Sequence, residues 1–327
     1  MKHPFHSAMA SQFEAFVLNR KAERRWSKVY DDNLHFFDNF CAKYYPGQDT
    51  LCEGMLEWCK ERPTEHGNSC KYRISAIIGF IRYANKEGWT SIAPPAIPNK
   101  KPCLYIPHSF TESELTEFFI ECDKHALASR KYNNTLYTRI NKLELPVYFR
   151  LLYSTGMRTN EARHLKRGDV DYENGIIEIN KTKGSDQHRV ALHPSLVGML
   201  KRYDGCMACI MPNRQMFFPN KNDEAHTPHW ADHHFRQIWA KISKEPARPY
   251  DLRSHYAVVN ITGWKGLGYE IHDKLLYLSR TMGHRSLSST YWYFNLSPVL
   301  ADKIKQCSEE SFNSLLPKLD DYEKESE

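Results

Sequence analysis

Four short segments of this chain carry groups suited to gripping a phosphate and attacking it. In TGMRTNEARHLKRGDVD, Gly156 and the Thr159-Asn160 pair read as a turn into a helix, which puts Arg158 at the helix start. A guanidinium there can hold a phosphate through two parallel N–H bonds, helped by the helix dipole. Glu161, three residues on, would hold that guanidinium or cap the turn. The plainer reading of Arg158 is a solvated arginine beside a helix cap. In NKTKGSDQHRVAL, Lys183 stands at the tip of a β-turn. From there a lysine can reach over a bound backbone, and it can donate a proton if its pKa is lowered. Taken alone it is a solvated turn lysine. In RPYDLRSHY, Arg253 follows a proline-led helix start and would be a second phosphate clamp or a buried ion-pair partner. In TMGHRSLSSTYWYF, Gly283 ends one helix, Ser286 to Ser289 open the next, and His284 lies at the break. Tyr293 follows His284 by nine residues. A phenol of pKa about 10 is a nucleophile only when activated, and two arginines and a histidine around one phosphate would activate it. Tyr291 would point roughly 200° away on a helix, so only one of the two can face the phosphate.

These groups need elements to hold them. Residues 7–86 read as helices, in segments near 8–20, 25–44, 49–61 and 67–87 punctuated by Gly47, Pro63 and Gly67. Val29, Leu34, Phe36, Phe37 and Phe40 supply an apolar stripe to the second. The stretch from 88 to 110 holds five prolines and little periodicity, so it reads as an extended linker. Ser109 or Thr111 would then cap a helix running through Leu115, Phe118 and Phe119. Apolar and polar residues alternate on both sides of Lys183-Gly184-Ser185-Asp186, which signals a β-hairpin. The expected class is mainly α with a small β-sheet or hairpin (α+β). The expected division is a helical domain over 1–90, a proline-rich linker over 91–108, and a second domain over 109–327.

The 327 residues carry 45 Lys and Arg against 39 Asp and Glu, a net charge of +6 that permits a polyanionic partner without demanding one. No apolar run approaches the ~20 residues of a membrane helix, and the N-terminus has no continuous apolar signal core, so a cytoplasmic protein is expected. The nine cysteines then read as free, mostly buried thiols. Cys206 and Cys209 form a C-x-x-C, with His226, His229, His233 and His234 downstream. That spacing resembles a zinc site, but a structural site needs four convergent ligands, and no metal is expected.

The four segments, in this order, resemble the motif boxes of the tyrosine recombinases, or phage integrase family, and the resemblance extends over essentially the whole chain. It implies two phosphate-binding arginines at Arg158 and Arg253, a hairpin lysine at Lys183, an orienting His284, and a nucleophile at Tyr293 that forms a 3′-phosphotyrosine. The chain departs from the family pattern at Tyr250, where a histidine or lysine usually stands; a phenol can still donate a hydrogen bond to a phosphate oxygen. His255 lies at a different helical angle and is a poor substitute. The resemblance further implies a helical core-binding domain, a catalytic domain, a C-shaped clamp on double-stranded DNA, and a homotetramer on synapsed sites. The chemistry would use no cofactor, metal or ATP and would run on a bacterial nucleoid, moving or resolving a mobile element. Arg20, Lys21, Arg24, Arg25 and Lys28, with Lys71, Arg73, Arg82 and Lys86, suit phosphate contacts. Val299, Leu300, Ile304, Leu315 and Leu316 would pack onto a neighbour. Two other readings are a DNA-binding protein of this fold with weakened catalysis and a type IB topoisomerase-like enzyme.

Overall fold

A computed structural model describes residues 4–65, 67–98, 105–127, 135–180, 187–263 and 269–293. The chain separates into two compact units, Met1–Tyr105 and Ile106–Glu327.

The first unit holds α1 (Ala10–Ala22), α2 (Lys28–Tyr44), a 3₁₀ turn (Glu53–Cys59) and α3 (Gly67–Lys86). Ser27 caps α2 by accepting the Tyr30 N–H. Phe13, Phe16, Leu34, Phe37, Ile77 and Phe80 form the centre of its core. The expected third helix contracts to the 3₁₀ turn. The expected stripe on α2 divides, since Leu34 and Phe37 are buried while Val29 and Phe36 are exposed. Arg73 is not a surface cation. It is buried, makes a two-pronged ion pair with Glu65 (2.7 and 2.9 Å), and donates to the carbonyls of Trp58 and Lys60.

The second unit opens with α4 (Glu112–Leu127), α5 (Leu136–Thr155) and the short α6 (Thr159–Arg163). An antiparallel sheet follows, in the order β1 (Val170–Asp171), β2 (Ile176–Ile179), β3 (His188–Ala191). Ile177 opposes Val190 and Ile179 opposes His188. This is the expected hairpin with one extra strand. The residues joining β2 to β3, 181–186, lie outside the described residues, and Lys183 with them. α7 (Pro194–Ile210), α8 (Pro228–Trp239), α9 (Asp251–Gly263), α10 (Tyr269–Thr281) and α11 (Ser288–Tyr291) complete the unit. Its main core joins α4, α5, α7 and α8 to the inner face of the sheet, with Phe118, Phe149, Leu200, Phe217, Phe235 and Ile177 all fully or almost fully buried.

Glu144 of α5 is completely buried in this core. His226 Nε2 lies 2.7 Å from its carboxyl, and the His226 ring stacks on Trp230. Burial pushes the Glu144 carboxyl well above the usual carboxylate range and depresses His226 to about 4. The pair is therefore neutral, with the carboxyl proton donated to the imidazole. Glu144→Gln keeps a donor in that place and should leave the chemical-denaturation midpoint nearly unchanged. Glu144→Ala, which leaves a cavity and an unpaired acceptor, should cost about 3 kcal/mol. An equal loss in both variants would show that an ionised pair stands there.

Candidate active site

α5 ends at Gly156, whose φ of +63° closes the helix through its N–H to the Leu152 carbonyl. A Cβ there would meet the Tyr256 ring at 2.4 Å, so both the backbone and the packing require glycine. The turn delivers Arg158 as the cap residue before α6. Its backbone N–H donates to Glu161 Oε2 (2.9 Å), its Nη1 to Glu161 Oε1 (2.5 Å) and its Nη2 to the Gly283 carbonyl (2.8 Å). Glu161 thus performs both roles foreseen for it. The Arg158 side chain remains a quarter exposed, leaving a face open to an incoming anion.

Arg253 projects from the first turn of α9 and is 1% exposed. Its Nη1 donates to the Gly156 carbonyl (2.6 Å), and its Nη2 to the Met282 carbonyl (2.7 Å) and to His284 Nε2 (2.8 Å). Its buried Nε–H has no hydrogen-bond partner of good geometry among the described residues. α10 ends at Gly283, with φ +62°. A Cβ on it would lie 2.5 Å from the His188 ring. This turn presents His284 to Arg253.

An arginine only donates, so His284 Nε2 must accept and its proton sits on Nδ1, which donates to the buried Thr290 Oγ1 at 2.7 Å. Burial, then the charges of Arg253, Arg158 and His188, lower His284 to about 3, so the imidazole is neutral. Tyr293 lies nearly parallel to it, with rings 15° apart and centroids separated by 6.0 Å. Tyr293 is 3% exposed among Ala257, Ile261, Leu278 and Met282. Burial raises its phenol pKa, helped by Tyr250, while Arg253 and Arg158 pull it back.

Arg158, Arg253 and the His284–Tyr293 segment, far apart in sequence, therefore converge. Tyr291, two residues away, is 51% exposed. Tyr250 is 46% exposed and adds to the rise of the Tyr293 phenol. His255 turns the other way, stacked on Tyr153. Cys206 and Cys209 are exposed on α7, and among the described residues no three His, Cys, Asp or Glu side chains form a group able to hold a metal.

His188 and Thr290 belong to this site and were not foreseen. The His188 side chain is 7% exposed, with Nε2 3.9 Å from Glu161 Oε2. Strand alternation with the inward Val190 was the available signal. Thr290 had none.

The neutral histidines set a pH dependence. A histidine whose folded pKa is depressed binds its proton more readily when unfolded, so acid favours unfolding between the two values. His284 (about 3), His226 and His234 (both about 4) all act in this sense below 6.5. Glu144, protonated in the fold and ionised when unfolded, opposes them with a single proton. The melting temperature should therefore fall steadily from pH 7 to about pH 4. A rise over that interval would contradict the neutral assignments.

The sequence profile described as the phage integrase family matches residues 111–298. The tyrosine recombinase XerC of Staphylococcus aureus is 25% identical over 302 residues, covering 87% of this chain and 91% of its own. The fold is similar to that of XerH site-specific recombinase in a post-cleavage complex with its difH substrate, with a TM-score of 0.58, 20% identity, and coverage of 86% of this chain and 78% of that one. It is likewise similar to lambda integrase in a tetramer bound to a Holliday junction, with a TM-score of 0.56, 13% identity, and coverage of 86% and 76%.

Proposed function

Because the chain belongs to the phage integrase family and is a tyrosine site-specific recombinase, we propose that Tyr293 is its nucleophile and that Arg158, Arg253 and His284 form the phosphate site around it. The observation that carries this reading is the convergence of those four side chains from three separated segments. A scissile phosphodiester sits between the two guanidiniums, and its nonbridging oxygens take their free donor positions. The anion offsets the positive charge that holds His284 down, and Arg253 turns part of its donor set to the phosphate. His284 Nε2 then accepts the phenol proton as the Tyr293 oxygen bonds to phosphorus. The bond from phosphorus to the 5′-oxygen breaks, and Lys183 donates the proton that the leaving oxygen needs. The 3′-phosphotyrosine keeps the bond energy, so a partner strand's 5′-hydroxyl reseals it by the reverse steps. The charge developing on phosphorus is met by fixed donors, without metal or ATP. Tyr250 donates its hydroxyl to a nonbridging oxygen.

The partner in this reading is double-stranded DNA, acted on by a homotetramer with two sites synapsed. Residues 1–90 serve as the core-binding domain, joined through 91–108 to a catalytic domain over 109–327. Arg20, Lys21, Arg24, Arg25 and Lys28 supply phosphate contacts that position the protein without reading sequence. The proposed packing of Val299 to Leu316 on a neighbour lies outside the described residues. Incubation in EDTA with two DNA molecules carrying the sequence that flanks the gene should yield exchanged strands. Relaxation of supercoils without exchange would favour a type IB topoisomerase activity, and binding without any covalent adduct would favour a catalytically weakened DNA-binding protein.

A further inference from the structure

The Gly283–His284 turn, whose imidazole serves the centre above, also borders a cavity of 640 Å³ whose other walls have no part in that chemistry. Its floor is that turn. One wall is formed by Asn180 and Gln187, at the ends of β2 and β3, and the other by Tyr277 and Arg280 of α10. The volume falls within the range of pockets that enclose small ligands, enough for one nucleotide. Tyr277 and Arg280 are three residues apart and share a helix face. Tyr277 is 66% exposed, so most of its ring is open to a stacking partner where it borders the cavity. Arg280 makes no side-chain hydrogen bond or ion pair among the described residues. The C-terminal end of α10 tolerates a cation there, and among the described residues nothing takes up its guanidinium donors. The Asn180 amide donates to Asp169 at 3.1 Å, which fixes that side chain where it borders the cavity.

An unspent guanidinium, an exposed aromatic face and amide side chains together match the parts of a nucleotide: phosphate, base face and base edge. We infer that this cavity is a nucleotide subsite. It takes one nucleotide flanking the phosphate under attack, with the base stacked on Tyr277 and its phosphate held by Arg280. The subsite rests on the reading of Tyr293 and His284 as the strand-transfer centre, and it adds a place where a base is drawn out of the duplex stack beside that centre.

The test uses nicked duplexes that trap the covalent adduct, in an intact form and in forms abasic at each position flanking the cleaved phosphate. Tyr277→Ala should slow single-turnover adduct formation about tenfold on the intact duplex, as loss of one stacked base does. It should have no effect on the duplex that is abasic at the bound position, while Tyr277→Phe and Tyr277→Trp keep the wild-type rate. Arg280→Gln should weaken binding and lower the salt dependence by about one phosphate contact. Both side chains are exposed, so these variants should fold, and equal melting temperatures would verify it. Normal kinetics in Tyr277→Ala and Arg280→Gln, or an identical loss on every abasic duplex, overturns the subsite and leaves the strand-transfer centre standing. Wild-type protein that forms no adduct on any duplex overturns the centre, and the subsite with it.

Discussion

Tyr293→Phe should abolish the SDS-stable protein–DNA adduct outright, while Tyr291→Phe should form it at close to the wild-type rate. The two residues are neighbours in sequence but opposites in setting. Tyr293 is 3% exposed, parallel to the His284 ring and within reach of Arg253 and Arg158, whereas Tyr291 is half exposed. Phenylalanine removes the one oxygen able to bond to phosphorus and keeps the ring that packs on Ala257, Ile261, Leu278 and Met282. Stability should therefore change by about 1 kcal/mol or less, the usual worth of one hydrogen bond, so a missing adduct cannot be blamed on unfolding. Burial holds the phenol above its ordinary pKa, so it stays protonated in the free protein and activation awaits the phosphate. Denaturing gels after incubation with a nicked duplex, read beside melting curves, decide the matter. An adduct that survives in Tyr293→Phe would falsify the assignment.

Arg253→Ala should lower single-turnover cleavage by at least ~10²-fold, as removal of one preorganised donor at a developing charge does. It should also destabilise the second unit by several kcal/mol. The guanidinium satisfies two buried carbonyls, those of Gly156 and Met282, and His284 Nε2, and each acceptor left unpaired costs about 1–3 kcal/mol. Arg253→Lys keeps the charge but offers a point rather than a fork, so it should recover part of the stability and little of the rate. Arg158→Ala should show a comparable loss of rate with less loss of fold, because that side chain is a quarter exposed and bonds one carbonyl besides Glu161. DNA affinity at fixed salt should fall far less than rate in both, since other phosphate contacts remain. Normal cleavage by Arg253→Ala would require another residue in its place.

The parts of this protein legible in the sequence are those that depend on a few adjacent residues. Gly156 and Gly283 announced helix ends because only glycine adopts a positive φ there without strain. Alternation on both sides of the turn announced β2 and β3, and five prolines announced a break between helical regions. Three of the four boxes were visible because each is a helix start or a glycine turn written in a few adjacent residues; the fourth, at Lys183, lies outside the described residues.

What distant contacts decide was hidden. Arg73 looked like one more cation on a helix, yet tertiary packing buries it on Glu65 and two carbonyls. Alternation could place His188 on the inward face of its strand but not beside Glu161 and Gly283, and Thr290 gave no sign of its bond to His284. Arg253 bonds a carbonyl 97 residues away and Arg158 one 125 residues away. Helical spacing tells which residues share a face, but not which far carbonyl will meet that face. Protonation follows the same division. The residue types told that His284 and Tyr293 titrate; only the depth of burial and the two converging arginines decide that the imidazole is neutral, and only burial holds the phenol above its ordinary range against the pull of those arginines.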